Sequence, residues 1–222
     1  MKTSTLLPPR QCHLDEESHK YFHDGLGQQM GVSVTGVVNW FKPPYSGPEE
    51  ASWRGTHVHR FMYYKAMGQL PPGCDHLGEF SPEGVDCVSW IQQLGHMKFW
   101  DEIEVLACEY TMTSARKSLG GQLDLLCRYK NKTLLVDLKT KGSSWKGSSK
   151  EDRYSYSAQA GGYLQLLQAG DGAYQAPAVD QCRTLVVTPN QVKWLPSMDP
   201  DRCSLDWEEC WGAYLLDIKN KF

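Results

Sequence analysis

Two short acidic motifs in the middle of the chain carry the residue types of a divalent-cation site. Asp137-Leu138-Lys139 lies near the end of one predicted strand, and Asp124 lies on the strand before it. Side chains alternate along a strand, so Asp137 and Lys139 share one face of the sheet. Two carboxylates on neighbouring strands repel each other unless a hard cation lies between them. A lysine beside them can hold an attacking water or stabilise charge on a phosphate oxygen. The pattern indicates metal-dependent phosphodiester hydrolysis.

The charge around these motifs is strongly uneven. Residues 114–150 contain nine basic and two acidic residues, although the whole chain has a net charge of −3. A basic stretch with just two carboxylates indicates a polyanionic partner and a small acidic site inside a basic field. A solvated basic face is the alternative interpretation of the charge alone.

Hydrophobic periodicity predicts the elements that must position these residues. Strand-like runs cover residues 103–110, 121–129, 133–139 and 183–188. Helical patterns predict a helix capped by Ser52 or Thr56 and ending at Gly68, a second starting at Ser81, a third over residues 158–168, and a closing helix from Asp206. The short link at residues 130–132 makes the second and third strands an antiparallel hairpin. The fold class is therefore α/β, with a central mixed sheet flanked by helices.

The 222 residues fit one domain, which can bury a core without disulfides or metal staples. Residues 1–50 are predicted to be a hairpin-and-loop extension, with residues 19–22 and 32–34 flanking a turn, and residues 51–222 to be the core. No apolar run approaches the roughly 20 residues of a membrane helix, and no signal-peptide core precedes the domain. The eight cysteines form no CxxC pair, which indicates reduced, structural thiols. We expect a soluble cytoplasmic protein that does not associate with a membrane.

Four motifs occur in a fixed order along the chain. They are Gly55-x-x-x-His59, Gly121-x-x-Asp124, Asp137-x-Lys139-Thr140 and Gln159-x-x-x-Tyr163, and they span about half of the sequence. Together they resemble the RecB-like branch of the PD-(D/E)XK nuclease superfamily. Residues 33–35, the block at residues 123–140 and the Trp-rich C-terminal helix are similar to mitochondrial genome maintenance exonucleases and related phage exonucleases. For a phage member, the compartment would be the host cytoplasm.

The resemblance implies a restriction-endonuclease-like core with the order αβββαβ and a metal-dependent DNA exonuclease that favours single strands and leaves 5′-phosphates. It implies these ligands for Mg²⁺, with Mn²⁺ as a substitute: His59, Asp124, Asp137 and the Leu138 carbonyl. Lys139 would orient or activate the water, and Gln159 and Tyr163 would position Lys139 or the DNA backbone. Asp124, Asp137, Lys139, Gln159 and Tyr163 form the implied catalytic set. Glu109 matches an acidic residue that many members carry before Gly-x-x-Asp.

DNA is the implied partner, as single strands or ends, with a recombination or single-strand-binding protein as a further one. The loop at residues 142–152 and its flanks would supply the DNA contacts: Lys141, Trp145, Lys146, Lys150 and Arg153. Some members of the branch bind a four-cysteine iron–sulfur cluster. The wide spacing of Cys182, Cys203 and Cys210 departs from the tight grouping of such clusters, so we expect none.

Other functions stay open at this point. The protein could be an endonuclease, or a nuclease subunit of a recombination, repair or CRISPR-like complex. It could also be a nuclease-fold protein that binds nucleic acid without cleaving it, or a polyanion-binding module. The intact Asp/Asp/Lys set favours an enzyme. Polarity, processivity and oligomeric state do not follow from the sequence.

Overall fold

The computed structural model describes residues 6–43, 47–69, 87–173 and 176–221. The strands are β1 (Cys12–Asp15), β2 (Lys20–His23), β3 (Gln28–Gln29), β4 (Val32–Ser33), β5 (Glu104–Ser114), β6 (Leu119–Tyr129), β7 (Lys132–Thr140), β8 (Gln181–Val187) and β9 (Val192–Trp194). The helices are α1 (Val34–Val38), α2 (Glu49–Ala66), α3 (Val88–Gly95), α4 (Phe99–Glu102), α5 (Lys150–Ala169) and α6 (Pro200–Lys221). No helix within these ranges is long and apolar enough to cross a membrane.

A mixed six-stranded sheet lies at the centre. β5, β6 and β7 form an antiparallel meander with β6 in the middle, β8 is parallel to β7, and β9 is antiparallel to β8. One face packs against α5 and α6 through an apolar cluster that includes Leu123, Leu164 and Trp207. The other face packs against α2 and α3 through a cluster that includes Phe61 and Leu125. The predicted α/β class, with a mixed sheet flanked by helices, is confirmed.

The predicted hairpin between β6 and β7 is confirmed. Its backbone hydrogen-bond ladder ends one residue before Asp124 on β6 and Asp137 on β7. Its tip has two left-handed residues, Lys130 at φ 49° and Asn131 at φ 62°, which suits the right-handed twist of the two strands. The ladder between the strands runs from Tyr129 to the pair of Leu125 with Val136. Beyond that pair the strands continue without a backbone ladder. The backbone groups of the following residues can therefore form hydrogen bonds with side chains instead.

Three predicted helix starts are wrong by several residues. The helix predicted over residues 158–168 begins at Lys150, where Ser149 accepts from the Asp152 N–H and Asp152 accepts from the Ser149 N–H. This reciprocal cap starts the helix inside the predicted loop of residues 142–152, of which residues 142–149 stay outside the helix. The closing helix begins at Pro200 rather than Asp206. α2 begins at Glu49, ahead of Ser52 and Thr56. The predicted start at Ser81 lies outside the described residues.

The N-terminal region also differs from its prediction. β2 pairs with β1 and β3 in a separate three-stranded sheet, rather than with residues 32–34. Val32 and Ser33 instead form β4, which is parallel to Leu119 and Gly120 of β6 in the central sheet. This pairing joins residues 87 positions apart, which local patterns cannot indicate.

Two consecutive glycines let α5 approach its neighbours closely. A Cβ added at Gly161 would lie 2.0 Å from the Cys203 carbonyl oxygen of α6, and one added at Gly162 would lie 2.6 Å from Val34 of α1. The two helices therefore meet backbone to backbone at Gly161. This contact holds α5 on the sheet, and α5 in turn carries two side chains of the candidate site.

Candidate metal and catalytic site

Three potential metal ligands converge from three elements. His59 lies on α2, Glu109 on β5 and Asp124 on β6, and their ligand atoms all lie within 4.8 Å of one another. The His59 Nδ1 lies 3.5 Å from a Glu109 oxygen and 3.5 Å from an Asp124 oxygen. At metal–ligand bonds of about 2.1 Å, neighbouring octahedral ligands are about 3 Å apart and opposite ones about 4 Å. The two distances from His59 fall within this range, so the cluster could hold a small divalent cation.

Asp137 lies beside this cluster and is held by two other groups. Lys139 Nζ lies 2.9 Å from both carboxylate oxygens of Asp137 and 3.1 Å from Gln159 Oε1. Gln159 Nε2 donates to Asp137 Oδ1 at 2.9 Å and to the Tyr163 hydroxyl at 2.9 Å. Four residues from β7 and α5 thus form one continuous hydrogen-bonded chain. The structure brings together all five residues of the implied catalytic set, with Asp124 one strand away.

Leu138 connects the two groups through its backbone. Its N–H donates to Asp124 Oδ2 at 2.6 Å, in the region where β6 and β7 have no backbone ladder. The N–H and C=O of one strand residue face the same edge. The Leu138 carbonyl therefore faces the side on which Asp124 lies, as a carbonyl ligand would need to do.

The buried charges of this site perturb one another. Burial lowers the pKa of His59, but the nearby carboxylates of Asp124 and Glu109 outweigh burial and raise it to about 9. Burial raises the pKa of Asp124 against the opposing effect of His59. Burial also raises the pKa of Asp137 to about 6, although Lys139 acts in the other direction. Without a metal, the His59 imidazolium takes the position of a cation between two carboxylates.

The backbone at Glu109 is strained. Glu109 has φ 46° inside a β-strand, a left-handed conformation that is uncommon outside glycine. The Gln122 amide donates to the Glu109 carbonyl at 3.1 Å and to the Thr111 hydroxyl at 3.2 Å, which helps to hold this conformation. Strain of this kind persists where the surroundings enforce it, and it concentrates at functional sites. Gln122 is a supporting residue that the motif analysis missed, since only its interaction with a distorted strand reveals it.

A cleft of about 990 Å³ opens over the site. His59, Glu109, Asp124, Lys139 and Gln159 all line it. Its lining also includes four aromatic residues and one arginine from α2 and the N-terminal sheet: Tyr21, Trp53, Arg60, Tyr63 and Tyr64. Aromatic rings next to cations suit bases and phosphates of a nucleic acid strand. The sequence analysis missed these residues, although the four-residue spacing of His59 from Tyr63 places both on one helix face.

The predicted DNA-contact residues lie elsewhere. Of the five, none lines the large cleft, and Lys150 and Arg153 instead line a second cavity beside α5. Both belong to the first turns of α5 rather than to a loop. Trp145, expected as an exposed stacking residue, is half-buried and packs on the small cluster of Tyr156, Val186 and Leu195. Trp145 therefore contributes to the packing of this cluster, and its expected exposure is wrong. Lys141 is half-buried and Lys146 is exposed.

Comparisons with known proteins add little. No family model and no curated protein matches the chain. Among solved structures with a resemblance is the crystal structure of SSO0001, with 12% identity and a TM-score of 0.33, covering 84% of this chain and 78% of that one.

Proposed function

We propose that this protein is a metal-dependent deoxyribonuclease with a RecB-like PD-(D/E)XK core, and that it removes nucleotides from the ends of single strands, leaving 5′-phosphates. The observation that carries the proposal is the adjacency of two groups at the floor of one cleft. One group is the His59, Glu109 and Asp124 cluster, and the other is the chain of Asp137, Lys139 and Gln159. The preference for strand ends follows from the sequence resemblance alone.

The donor set suits the implied ion. Two carboxylates and a backbone carbonyl are ligands that Mg²⁺ prefers, and the imidazole of His59 also suits Mn²⁺. His59, Glu109, Asp124 and the Leu138 carbonyl would hold the ion, with Asp137 next to them. Bound there, Mg²⁺ or Mn²⁺ would neutralise the charge that develops on the phosphate during hydrolysis.

The remaining side chains would orient the reactants. Lys139 Nζ donates to Asp137 and to Gln159, and these two hydrogen bonds fix the position of its ammonium group. In that position it can orient an attacking water and stabilise a phosphate oxygen. Tyr163 accepts from Gln159 and fixes the amide, which in turn fixes Lys139. The aromatic and basic walls of the cleft would hold the strand over these groups.

The test uses end-labelled linear single strands, linear duplexes and circular single strands, each incubated with Mg²⁺, Mn²⁺ or EDTA. Wild type is compared with Lys139→Ala and with a control, Lys132→Ala, which removes an exposed lysine from the other end of β7. We expect metal-dependent shortening of linear single strands by wild type and by the control, and none by Lys139→Ala. Circular dichroism of each variant shows that it is folded.

The other outcomes contradict specific parts of the proposal. Cleavage of circles would replace the exonuclease by an endonuclease that uses the same site. Equal cleavage by Lys139→Ala would remove Lys139 from the mechanism. Binding of DNA with no cleavage under either metal would favour the alternative of a catalytically silent nucleic-acid-binding protein.

A further inference from the structure

The outward side of α6 carries three exposed leucines. Leu205, Leu215 and Leu216 are 59%, 47% and 64% exposed, and none of them belongs to an apolar cluster of the described residues. Scattered exposed leucines are common, but these lie ten and eleven residues apart, about three helical turns, and so share one side of the helix. With the residues between and beside them on that side, they form the α6 outer face: Asp201, Leu205, Glu208, Gly212, Leu215, Leu216 and Lys219.

The opposite side of α6 is already covered by the rest of the protein. Cys203, Trp207 and Tyr214 are buried in the apolar cluster between α6, α5 and the sheet. Trp40 packs edge-on against Tyr214 and donates to Asp217 at 2.7 Å. The three leucines point away from this packing, into solvent.

Gly212 lies near the middle of the α6 outer face. A Cβ added to it would meet nothing within 4 Å, so no contact with the described residues requires a glycine at this position. Glycine weakens a helix relative to alanine. Its missing side chain does, however, leave a gap through which a second helix can approach closely.

The residues of this face are arranged symmetrically about position 210. Asp201 and Lys219 lie nine residues to either side of it, and Leu205 and Leu215 lie five residues to either side. Two copies of a helix that pack antiparallel about a two-fold axis bring together residues equally far from that axis. An axis at position 210 therefore brings Asp201 to Lys219 and Leu205 to Leu215.

The charges at the two ends of the face lack partners within the described part of the chain. Neither Asp201 nor Lys219 forms an ion pair there. Arg202 and Lys221, which lie close to them in sequence, pair instead with carboxylates of α6 itself. An antiparallel copy would supply both missing partners, whereas a parallel copy would place like charges together. The charge pattern therefore favours a second copy in the antiparallel orientation.

We propose that this protein forms a homodimer in which two α6 outer faces pack antiparallel against each other. Leu205 of each copy packs on Leu215 and Leu216 of the other, and Asp201 pairs with Lys219 at both ends. The paired segment spans about 27 Å, over which helices that cross at about 20° stay in contact. One helix pair is a small interface, so we expect a dissociation constant on the order of 10 µM.

The dimer would leave the candidate site of both copies accessible. α6 packs on one face of the central sheet, and α2 packs on the other. None of the described residues that line the large cleft belongs to α6. The dimer therefore neither requires nor blocks the proposed activity.

The test measures the oligomeric state without DNA or metal, in EDTA and a reducing agent. Sedimentation equilibrium over about 1–300 µM protein gives the dissociation constant. Leu216→Glu places a charge in the leucine contact. Leu26→Glu is the matched control, because Leu26 is 63% exposed and lies between β2 and β3, outside α6.

A charge exchange tests the antiparallel register. Asp201→Lys alone and Lys219→Asp alone each place like charges at both ends of the interface. The double variant restores opposite charges in reversed order. Measurements at low salt keep these exposed pairs from being screened. Circular dichroism of each variant shows that it is folded.

We expect wild type and Leu26→Glu to dimerise with the same dissociation constant. Leu216→Glu should raise this constant at least about thirtyfold, because the dimer would bury an unpaired charge. Each single charge variant should raise it about fivefold, and the double variant should return to within about twofold of wild type.

Three results would overturn the proposal. Wild type that stays monomeric over the whole concentration range would exclude the dimer. A dimer that Leu216→Glu leaves unchanged would have its interface elsewhere. A double charge variant that dimerises no better than the single variants would contradict the pairing of Asp201 with Lys219. No DNA or metal enters these measurements, so their outcome is separate from that of the nuclease assay.

Discussion

The Gln159 side chain bridges Asp137 and Lys139 with both ends of its amide. Its nitrogen donates to Asp137 Oδ1 at 2.9 Å, and its oxygen accepts from Lys139 Nζ at 3.1 Å. Asp137 and Lys139 are themselves paired, so the three groups form a closed ring. An amide can complete such a ring because it carries a donor nitrogen and an acceptor oxygen on the same carbon atom.

Replacing Gln159 by leucine should therefore impair positioning rather than DNA binding. We expect kcat to fall about 100-fold, since a small displacement of a catalytic group has an effect of this size, while KM for DNA changes little. Steady-state kinetics on the preferred linear strand measure both. Gln168→Leu, an exposed glutamine of the same helix, is the control. A large rise in KM with kcat intact would assign Gln159 to DNA binding instead.

Metal binding should depend on Glu109, although this residue lies outside the four sequence motifs. The proposed function requires that Mn²⁺ binds the folded chain, and such binding should raise the melting temperature, by the equivalent of about 2.7 kcal/mol at 100 times Kd. Glu109→Gln should shift the metal concentration needed for this effect at least tenfold upward. Glu104→Gln, on the same strand but paired with Arg128 at 3.3 Å, should not. Equal behaviour of the two variants would remove Glu109 from the ligand set.

The stability of the metal-free protein should fall as the pH rises through the range where His59 loses its proton. The folded pKa of about 9 exceeds the ordinary value of 6.5, so the folded state binds this proton more tightly. The resulting stabilisation is complete below pH 6.5 and is lost as the pH approaches and passes 9, up to about 3 kcal/mol. Urea unfolding in EDTA from pH 6 to 9.5 measures this loss.

The His59→Gln protein isolates this effect, because other groups titrate in the same range. We expect the difference in unfolding free energy between wild type and His59→Gln to shrink as the pH rises. A difference that stays constant from pH 6 to 9.5 would mean that His59 carries no proton between its two carboxylates.

Two glycine substitutions should have opposite effects on stability. Gly161→Ala places a Cβ 2.0 Å from a carbonyl oxygen of α6, so it should cost more than about 2 kcal/mol of unfolding free energy. Gly212, in the interior of α6, has nothing within 4 Å of an added Cβ. Gly212→Ala should therefore stabilise by about 0.5–1 kcal/mol through helix propensity. Denaturant unfolding of both variants checks the pair, and equal destabilisation would contradict the close helix contact.

Sequence patterns predicted those parts of the fold that depend on residues close together in the chain. The alternation in β6 and β7, with a two-residue link, predicts their hairpin. The start of α5 was missed because an aspartate takes the place that glutamate or glutamine usually holds in the reciprocal cap. The pairing of β4 with β6 was missed because it joins residues 87 positions apart.

The candidate site likewise contains residues that motif spacing predicted and residues that it missed. Motif spacing predicted His59, Asp124, Lys139 and Gln159, which all line one cleft, and Asp137, which is buried behind Lys139 and Gln159. Spacing could not indicate the left-handed backbone of Glu109 or the amide of Gln122 that supports it, because both depend on the pairing of two strands. It also misplaced Trp145, since composition alone does not reveal that a Ser- and Gly-rich segment folds back on the core.

None of the proposed catalytic residues lies in the N-terminal 50 residues, yet this segment limits which substrates can enter the cleft. Leu14, Glu16, His19 and Tyr21 form one wall of the cleft, and β4 covers the start of β6. A fragment beginning at residue 51 would keep every proposed catalytic group. It would also expose unpaired backbone at Leu119 and Gly120, an edge at which other chains can add and aggregate. Substrate choice and solubility would thus be lost together, from a segment that carries none of the reaction.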